Sequence, residues 1–389
     1  MKKLSFTSIS GAAFLMATSA IGPGFINNTT KFTQELAASF GFVILISVLL
    51  DIIVQLNLWR IISVQGDYAQ NIANTFFPGT GYLLIFLVTT GGFIFNIGNI
   101  AGAALGLQVL FGMNLHMATV ISAAIAILLF VFKQAGKTMD WFTRVLGVMM
   151  ILLTLFVCIV SKPDLPLAFE KTLLPDTINW QIILTIVGGT VGGYISFAGA
   201  HRLIDSGVTG KENVKSVTKG AVSGIIIASV MRYVLFLAAL GVILGGVALS
   251  ELNPAKTVFE TAAGATGLKL FGLVLWSAAI TSVVGSAFTS VSFMQSLHPV
   301  LQKNKNMVTV LFIFFSALIF LFYGQPSKIL VFAGAFNGII LPVSLFIMLL
   351  VSHKSRKKEY RHPLWLTVSG WLVVAALLYM SVVSLVHIF

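Results

Sequence analysis

The stretch SGAAFLMATSAIGPG, residues 10–24, decides the fold. It is apolar up to Gly22-Pro23-Gly24, and the apolar pattern resumes directly afterwards, so the triplet falls in the middle of one hydrophobic segment, 9–37. Proline removes a backbone donor and glycine accepts non-helical dihedrals, so a helix is expected to break there. At membrane depth the freed amides and carbonyls have to line a cavity or be covered by protein. A second interruption, IVGGTVGGY (186–194), puts four glycines within six residues, with Gly192-Gly193 the expected break. Paired broken helices at corresponding places in two halves point to an inverted-repeat transporter with its site at the bilayer midplane. Close helix packing at small residues accounts for Gly98 and Gly102, but poorly for the proline.

Composition agrees with a membrane location. Of 389 residues, 57% are hydrophobic and 9% are charged, against about 25% charged in soluble domains. An ordinary water-soluble globule is excluded. Apolar runs at 9–37 (interrupted), 40–61, 80–110, 117–133, 140–161, 180–206 (interrupted), 218–247, 266–297, 307–323, 328–352 and 363–387 predict about 11 transmembrane helices. The fold class is an all-α polytopic membrane protein, a single transmembrane domain over 1–389. The runs are continuous, which excludes a transmembrane barrel of alternating strands. The opening MKKLSFTSISGAAFLMATSA mimics a secretory signal peptide, but the apolar pattern resuming past Gly24 makes it the first membrane helix.

The formal charge is +12, and its distribution speaks of topology, not of nucleic acid. With the N-terminus cytoplasmic and the C-terminus outside, 17 of the 24 Lys and Arg residues lie inside, six outside, and Arg232 within a span. That asymmetry is the positive-inside signature of a multi-pass plasma (inner) membrane protein. The basic run Lys354 to Arg361 reads as part of it, ahead of a contact with anionic lipid. The single cysteine, Cys158, rules out an intrachain disulfide and reads as an inert buried thiol.

Four segments, in order along the chain, resemble one family. SGAAFLMATSAIGPG resembles the first helix of NRAMP-type divalent metal ion transporters, which ends in an Asp-Pro-Gly-Asn break. FNIGNIAGAALGLQVLFGMNL (95–115) resembles the third helix through its Leu-Phe-Gly ending. IVGGTVGGY resembles the sixth, where Gly-Ala-Thr-Val leads into Met-Pro-His, and GIILPVSLF (338–346) resembles the tenth. The resemblance spans most of the chain and implies a LeuT-like inverted repeat of 5+5 helices with helices 1 and 6 discontinuous. Repeat one would cover about 9–161, repeat two about 180–352, and an extra helix about 363–387. It further implies secondary active transport by alternating access, with H+ as the coupling ion (Na+ the alternative) and no cofactor.

In that family the metal is held by the Asp and Asn of the first break and the Met of the sixth helix. Those positions fall on Gly22, Phe25 and Gly192, and the following His falls on Tyr194. A second register would place His201 at the histidine and Gly199 at the methionine. Either way the carboxylate and the thioether are missing, although divalent ions normally need oxygen or sulfur ligands with at least one carboxylate. The acids of the family's third-helix proton path fall on Asn96 and Asn99.

A divalent metal ion is therefore the substrate that the resemblance implies. The residues themselves suit a small neutral or anionic solute, a carboxylate or an amide, held among half-helix amide ends. Candidate substrate-binding residues are Gly22, Pro23, Gly24 and Asn27 at the first break, Gly192, Gly193, Tyr194 and Ser196 at the second, and Asn96, Asn99 and Asn337 on neighbouring helices. Asp51 and Arg232 lie deep in the second and seventh spans, where charges are rare and either paired or functional. These equivalent places predict an Asp51–Arg232 pair, structural or with Asp51 titrating during proton coupling. His201 and Asp205, four apart on one helix face, read as a cytoplasmic gate or a solvated helix end. Gly136-Lys137-Thr138 lacks the upstream glycine of a phosphate loop, no two histidines have metal-ligand spacing, and no nucleophile–base set suggests an enzyme. The expected partners are a small solute or ion and membrane lipid, with no nucleic acid. A monomer fits, and oligomeric state is open.

Overall fold

The computed structural model describes residues 21–132, 135–354 and 360–386, with side chains omitted for 135–144 and 146. Every apolar run becomes helix among them: Pro23–Leu36, Phe40–Gln65, Thr80–Phe111, Leu115–Val131, Ala135–Ser161, Trp180–Thr190 with Tyr194–Asp205, Val214–Leu244, Pro254–Met294, Lys305–Tyr323, Pro326–Lys354 and Leu364–Val386. No strand occurs among the described residues. Local chemistry sets many of the ends. Asn114, Asn179 and Asn253 each accept the backbone amide of the third residue of the helix they open, satisfying a donor that a helix start leaves free. Gly66, Gly112 and Gly324 close three helices in the left-handed conformation that glycine adopts without steric cost.

Three short helices were not legible as apolar runs: Ala69–Phe76, Leu165–Leu173 and Pro299–Lys303. Leu165–Leu173 turns by 108° from the helix that precedes it, starting where the Asp164 carboxylate accepts the Leu167 amide. The eighth span also begins earlier than its apolar run suggests. It starts at Pro254, and Gly264 (φ 62°) interrupts the helix before the apolar part.

Contacts identify the two ends of the bundle. At one end Tyr68 meets Asp205, Gln70 meets Ser296, Gly210 N–H donates to the Ser63 carbonyl, and Lys354 Nζ donates to the Phe76 carbonyl at 2.6 Å. At the other end Asp176 N–H donates to Ser39 Oγ, Thr172 meets the Tyr233 hydroxyl, and Lys269 donates to the Val109 carbonyl at 3.0 Å.

Glycine sets how closely the central helices approach. A Cβ on Gly102 would come within 2.1 Å of Pro23 Cβ, and one on Gly188 within 2.1 Å of the Gly334 carbonyl oxygen. Gly189, next in the chain, has open space at the same position. Gly188→Ala is therefore expected to force backbones apart at a cost of about 1–3 kcal/mol. Gly189→Ala should be neutral or slightly stabilising, since alanine is the better helix former. Thermal unfolding of the two variants in detergent checks the contrast.

Candidate functional site

The sixth span breaks where its glycines predict. The Trp180–Thr190 helix ends, Val191 to Gly193 turn, and helix resumes at Tyr194. Gly193 has φ 51°, and a Cβ there would lie 1.6 Å from Asn337 Oδ1, so no larger residue fits. Ser196 braces the turn, its hydroxyl donating to the Val191 carbonyl at 2.8 Å and reaching Gln55 Oε1 at 3.3 Å. Trp59 Nε1 in turn donates to the Ser196 carbonyl at 2.9 Å. At the first break Gly22 is extended and the helix begins at Pro23. The expected half-helix before residue 21 lies outside the described residues. Carbonyl ends of one half-helix and amide ends of two others thus meet at the centre, leaving partial charges of both signs there.

The two deep charges come to these breaks. Arg232 and Asp51 are 3% and 1% exposed. Contrary to what their positions suggested, they do not come within ion-pairing distance of each other, and Thr190, the last residue before the second break, neighbours both. Arg232 Nη1 donates to Thr190 Oγ1 at 2.9 Å, and Asp51 has Thr190 and Arg232 as its polar neighbours. The guanidinium also sits 4.3 Å from the centroid of the Phe25 ring, just past the first break. Arg232 Nε and Asp51 Oδ1 have no hydrogen-bond partner. One cation is thereby held against the end of the Trp180–Thr190 helix and the start of the Pro23–Leu36 helix, with a carboxylate nearby.

Neutral polar groups are also buried around the breaks. Asn96 is satisfied, receiving the Ser286 hydroxyl at 2.8 Å and donating to Ser316 Oγ at 3.1 Å. Asn99 has neither its oxygen nor its nitrogen paired, and the Tyr194 hydroxyl is likewise unpaired, though Asn99 and Ser286 flank it. Asn337 donates to the Gly91 and Ala333 carbonyls and leaves its oxygen free toward Gly193. Asn27 and Asn28 tie the first half-helix to the Pro326–Lys354 helix through the Ser327 and Leu330 carbonyls, leaving Asn27 Oδ1 unpaired.

His201 and Asp205 lie away from this centre, at the bundle end that holds Tyr68. His201 is buried, not solvated, stacked on Phe293 with ring centroids 4.6 Å apart and against Tyr68 at the same distance. The Tyr68 hydroxyl donates to Asp205 Oδ1. Tyr68, Phe293, Thr190, Gln55 and Ser286 escaped sequence reading, since each is an ordinary residue type in its segment. Partial burial, reinforced by the Asp205 carboxylate, pushes the Tyr68 phenol up to about 12. The neutral donor is thus favoured in the folded state, so its contribution is complete below about pH 10 and lost as pH rises through about 12. Tyr68→Phe removes one hydrogen bond to a carboxylate, about 1 kcal/mol at this partly exposed position. Protection factors across Ala69–Phe76, which correct for the intrinsic pH dependence of exchange, are expected to fall about fivefold at pH 7 in Tyr68→Phe, with no such fall in wild type between pH 6 and 9.

With this geometry in view, the sequence pattern of the natural resistance-associated macrophage protein-like (Nramp) family matches residues 13–387. The chain belongs to the Nramp family. It is 54% identical over 382 residues to YcsG, an uncharacterized membrane protein of Bacillus subtilis, covering 98% of this chain and 95% of that one. Among solved structures it is similar to the Eremococcus coleocola manganese transporter, with TM-score 0.75 at 19% identity, covering 98% and 86% of the two chains. A nucleobase-cation-symport-1 family transporter with bromovinylhydantoin bound also shares the fold, with TM-score 0.59 at 16% identity and 97% and 90% coverage. The fold is thus the Nramp and LeuT-type one, with the sixth span discontinuous between Thr190 and Tyr194, and the family and fold are those of membrane transporters. Gly22, Phe25 and Gly192, the positions on which the resemblance put the metal ligands, carry no donor side chain. Among the described residues no three His, Cys, Asp or Glu side chains gather into a metal-binding group.

Proposed function

We propose that this Nramp-family chain is a proton-coupled secondary transporter that moves a small organic solute bearing a carboxylate or amide. It works by alternating access at a site between the two helix breaks. The observation that carries this reading is Arg232, a buried guanidinium resting on Phe25 and hydrogen-bonded to Thr190. A fixed cation at the breaks attracts an anion and repels a divalent metal, and the interaction is strong where water is excluded. Asp51 is the titrating carboxylate: protonated, it leaves Arg232 uncompensated and ready for a substrate carboxylate, and ionised, it competes for the guanidinium. The charge distribution supports a plasma membrane orientation with the Tyr68 end cytoplasmic. Metal transport is the second reading, favoured by the family and by the named cargo of the E. coleocola relative. Uptake of radiolabelled carboxylates into proteoliposomes, with and without an inward proton gradient, tests the proposal. Saturable, gradient-stimulated uptake is expected, and gradient-driven manganese uptake without it would contradict the proposal.

A further inference from the structure

The polar groups around the two breaks divide into a charged set and a neutral set. In the charged set stands Arg232, with Nε unpartnered and its guanidinium carbon 4.3 Å from the centroid of the Phe25 ring. In the neutral set stand Asn99, unexposed and with neither end of its amide in a well-formed hydrogen bond, and Tyr194, 1% exposed, whose hydroxyl lies beside Asn99 and Ser286 without a well-formed hydrogen bond. Buried donors and acceptors in native proteins are nearly always paired, so a cluster left open at a ligand site calls for a ligand that completes it.

Packing places both sets at the same breaks. Gly102 packs directly on Pro23, two residues before Phe25, and Asn99 lies about one helical turn from Gly102 on the same helix. Tyr194 opens the half-helix that follows Thr190, the hydrogen-bond partner of Arg232. The contrast with Asn96 is informative. It occupies the same helix one turn earlier, but Ser286 and Ser316 use up its amide, so it is structural while Asn99 is available.

We infer that the site is bipartite and selects a small carboxylate that also carries a neutral hydrogen-bonding group, an amide or a hydroxyl. Arg232 takes the carboxylate. Asn99 and the Tyr194 hydroxyl take the neutral group, Asn99 offering both a donor and an acceptor. A plain carboxylate leaves the neutral set unpaired, and a neutral amide leaves the guanidinium unpaired, so each binds more weakly than a solute with both functions. This inference rests on the organic-solute reading proposed above.

Thermal unfolding of the purified full-length chain in detergent tests it, with propionate, lactate, succinamate, propionamide and MnCl2 titrated separately. For wild type, lactate or succinamate is expected to reach its half-maximal shift at a concentration at least tenfold below propionate, with propionamide weakest. Tyr194→Phe keeps the ring against Phe95, and it and Asn99→Ala are each expected to shrink the advantage of lactate or succinamate over propionate from tenfold to about twofold or less. Arg232→Lys is expected to weaken all three carboxylates together. Equal responses to the three carboxylates in wild type, or an advantage that survives in both neutral-set variants, would overturn the bipartite site while leaving the organic-solute reading standing. Stabilisation by MnCl2 with no carboxylate response would overturn both.

Discussion

Arg232→Gln is expected to lower apparent affinity for carboxylate solutes by about two orders of magnitude and to bring uptake near the background of empty liposomes. Losing one partner of a buried, hydrogen-bonded charge contact costs roughly 2–5 kcal/mol, and this guanidinium is 3% exposed. Lysine should recover only part of the loss, because an ammonium has neither the planar fork nor the flat face that rests on Phe25. The variant also leaves Asp51 buried without its cationic neighbour, so a fall in stability accompanies the fall in affinity. The double variant Asp51→Asn/Arg232→Gln separates the two effects. It removes both charges and should regain much of the lost stability, yet still fail to bind carboxylates. Normal transport by the double variant would reduce the pair to a structural role.

Asp51→Asn is expected to remove the stimulation of uptake by an inward proton gradient, a loss of at least tenfold in the initial driven rate. Exchange of labelled for unlabelled solute at equal pH should persist. Asparagine matches aspartate in size and neutrality to the protonated form, so the variant mimics the state in which Arg232 is free for substrate. It cannot cycle back. Apparent affinity should consequently be equal to or tighter than wild type while coupling is lost. Initial rates in proteoliposomes with and without a pH step check this, and undiminished pH-driven uptake would take Asp51 out of the coupling step.

The fold was largely readable because its signals are local. Glycine interrupts the apolar run at Gly192-Gly193 through backbone chemistry alone, a helix begins at Pro23 after an extended Gly22, and the Asp51 and Arg232 charges stand out against apolar neighbours. What joins them was not readable. Thr190 is one threonine in a glycine-rich run, and only the packing of the second, sixth and seventh spans brings its hydroxyl to Arg232, with Asp51 nearby. Phe25 is one of 32 phenylalanines, and nothing near it in sequence announces a guanidinium on its face. Asn96 and Asn99 look equivalent one turn apart, but tertiary contacts satisfy the first and leave the second open. Tyr68 belongs to a short polar connection with no apolar period, so its place beside His201 and Asp205 emerges only once distant helix ends meet.

The claim on which the account depends is that a buried cation at the helix breaks has replaced the family's metal ligands. Titration calorimetry of the purified protein with Mn2+, paired with Mn2+ import into proteoliposomes under a proton gradient, tests it most directly. The account predicts no saturable binding in the micromolar range and import no faster than in empty liposomes. Micromolar Mn2+ binding together with gradient-driven Mn2+ import would contradict it.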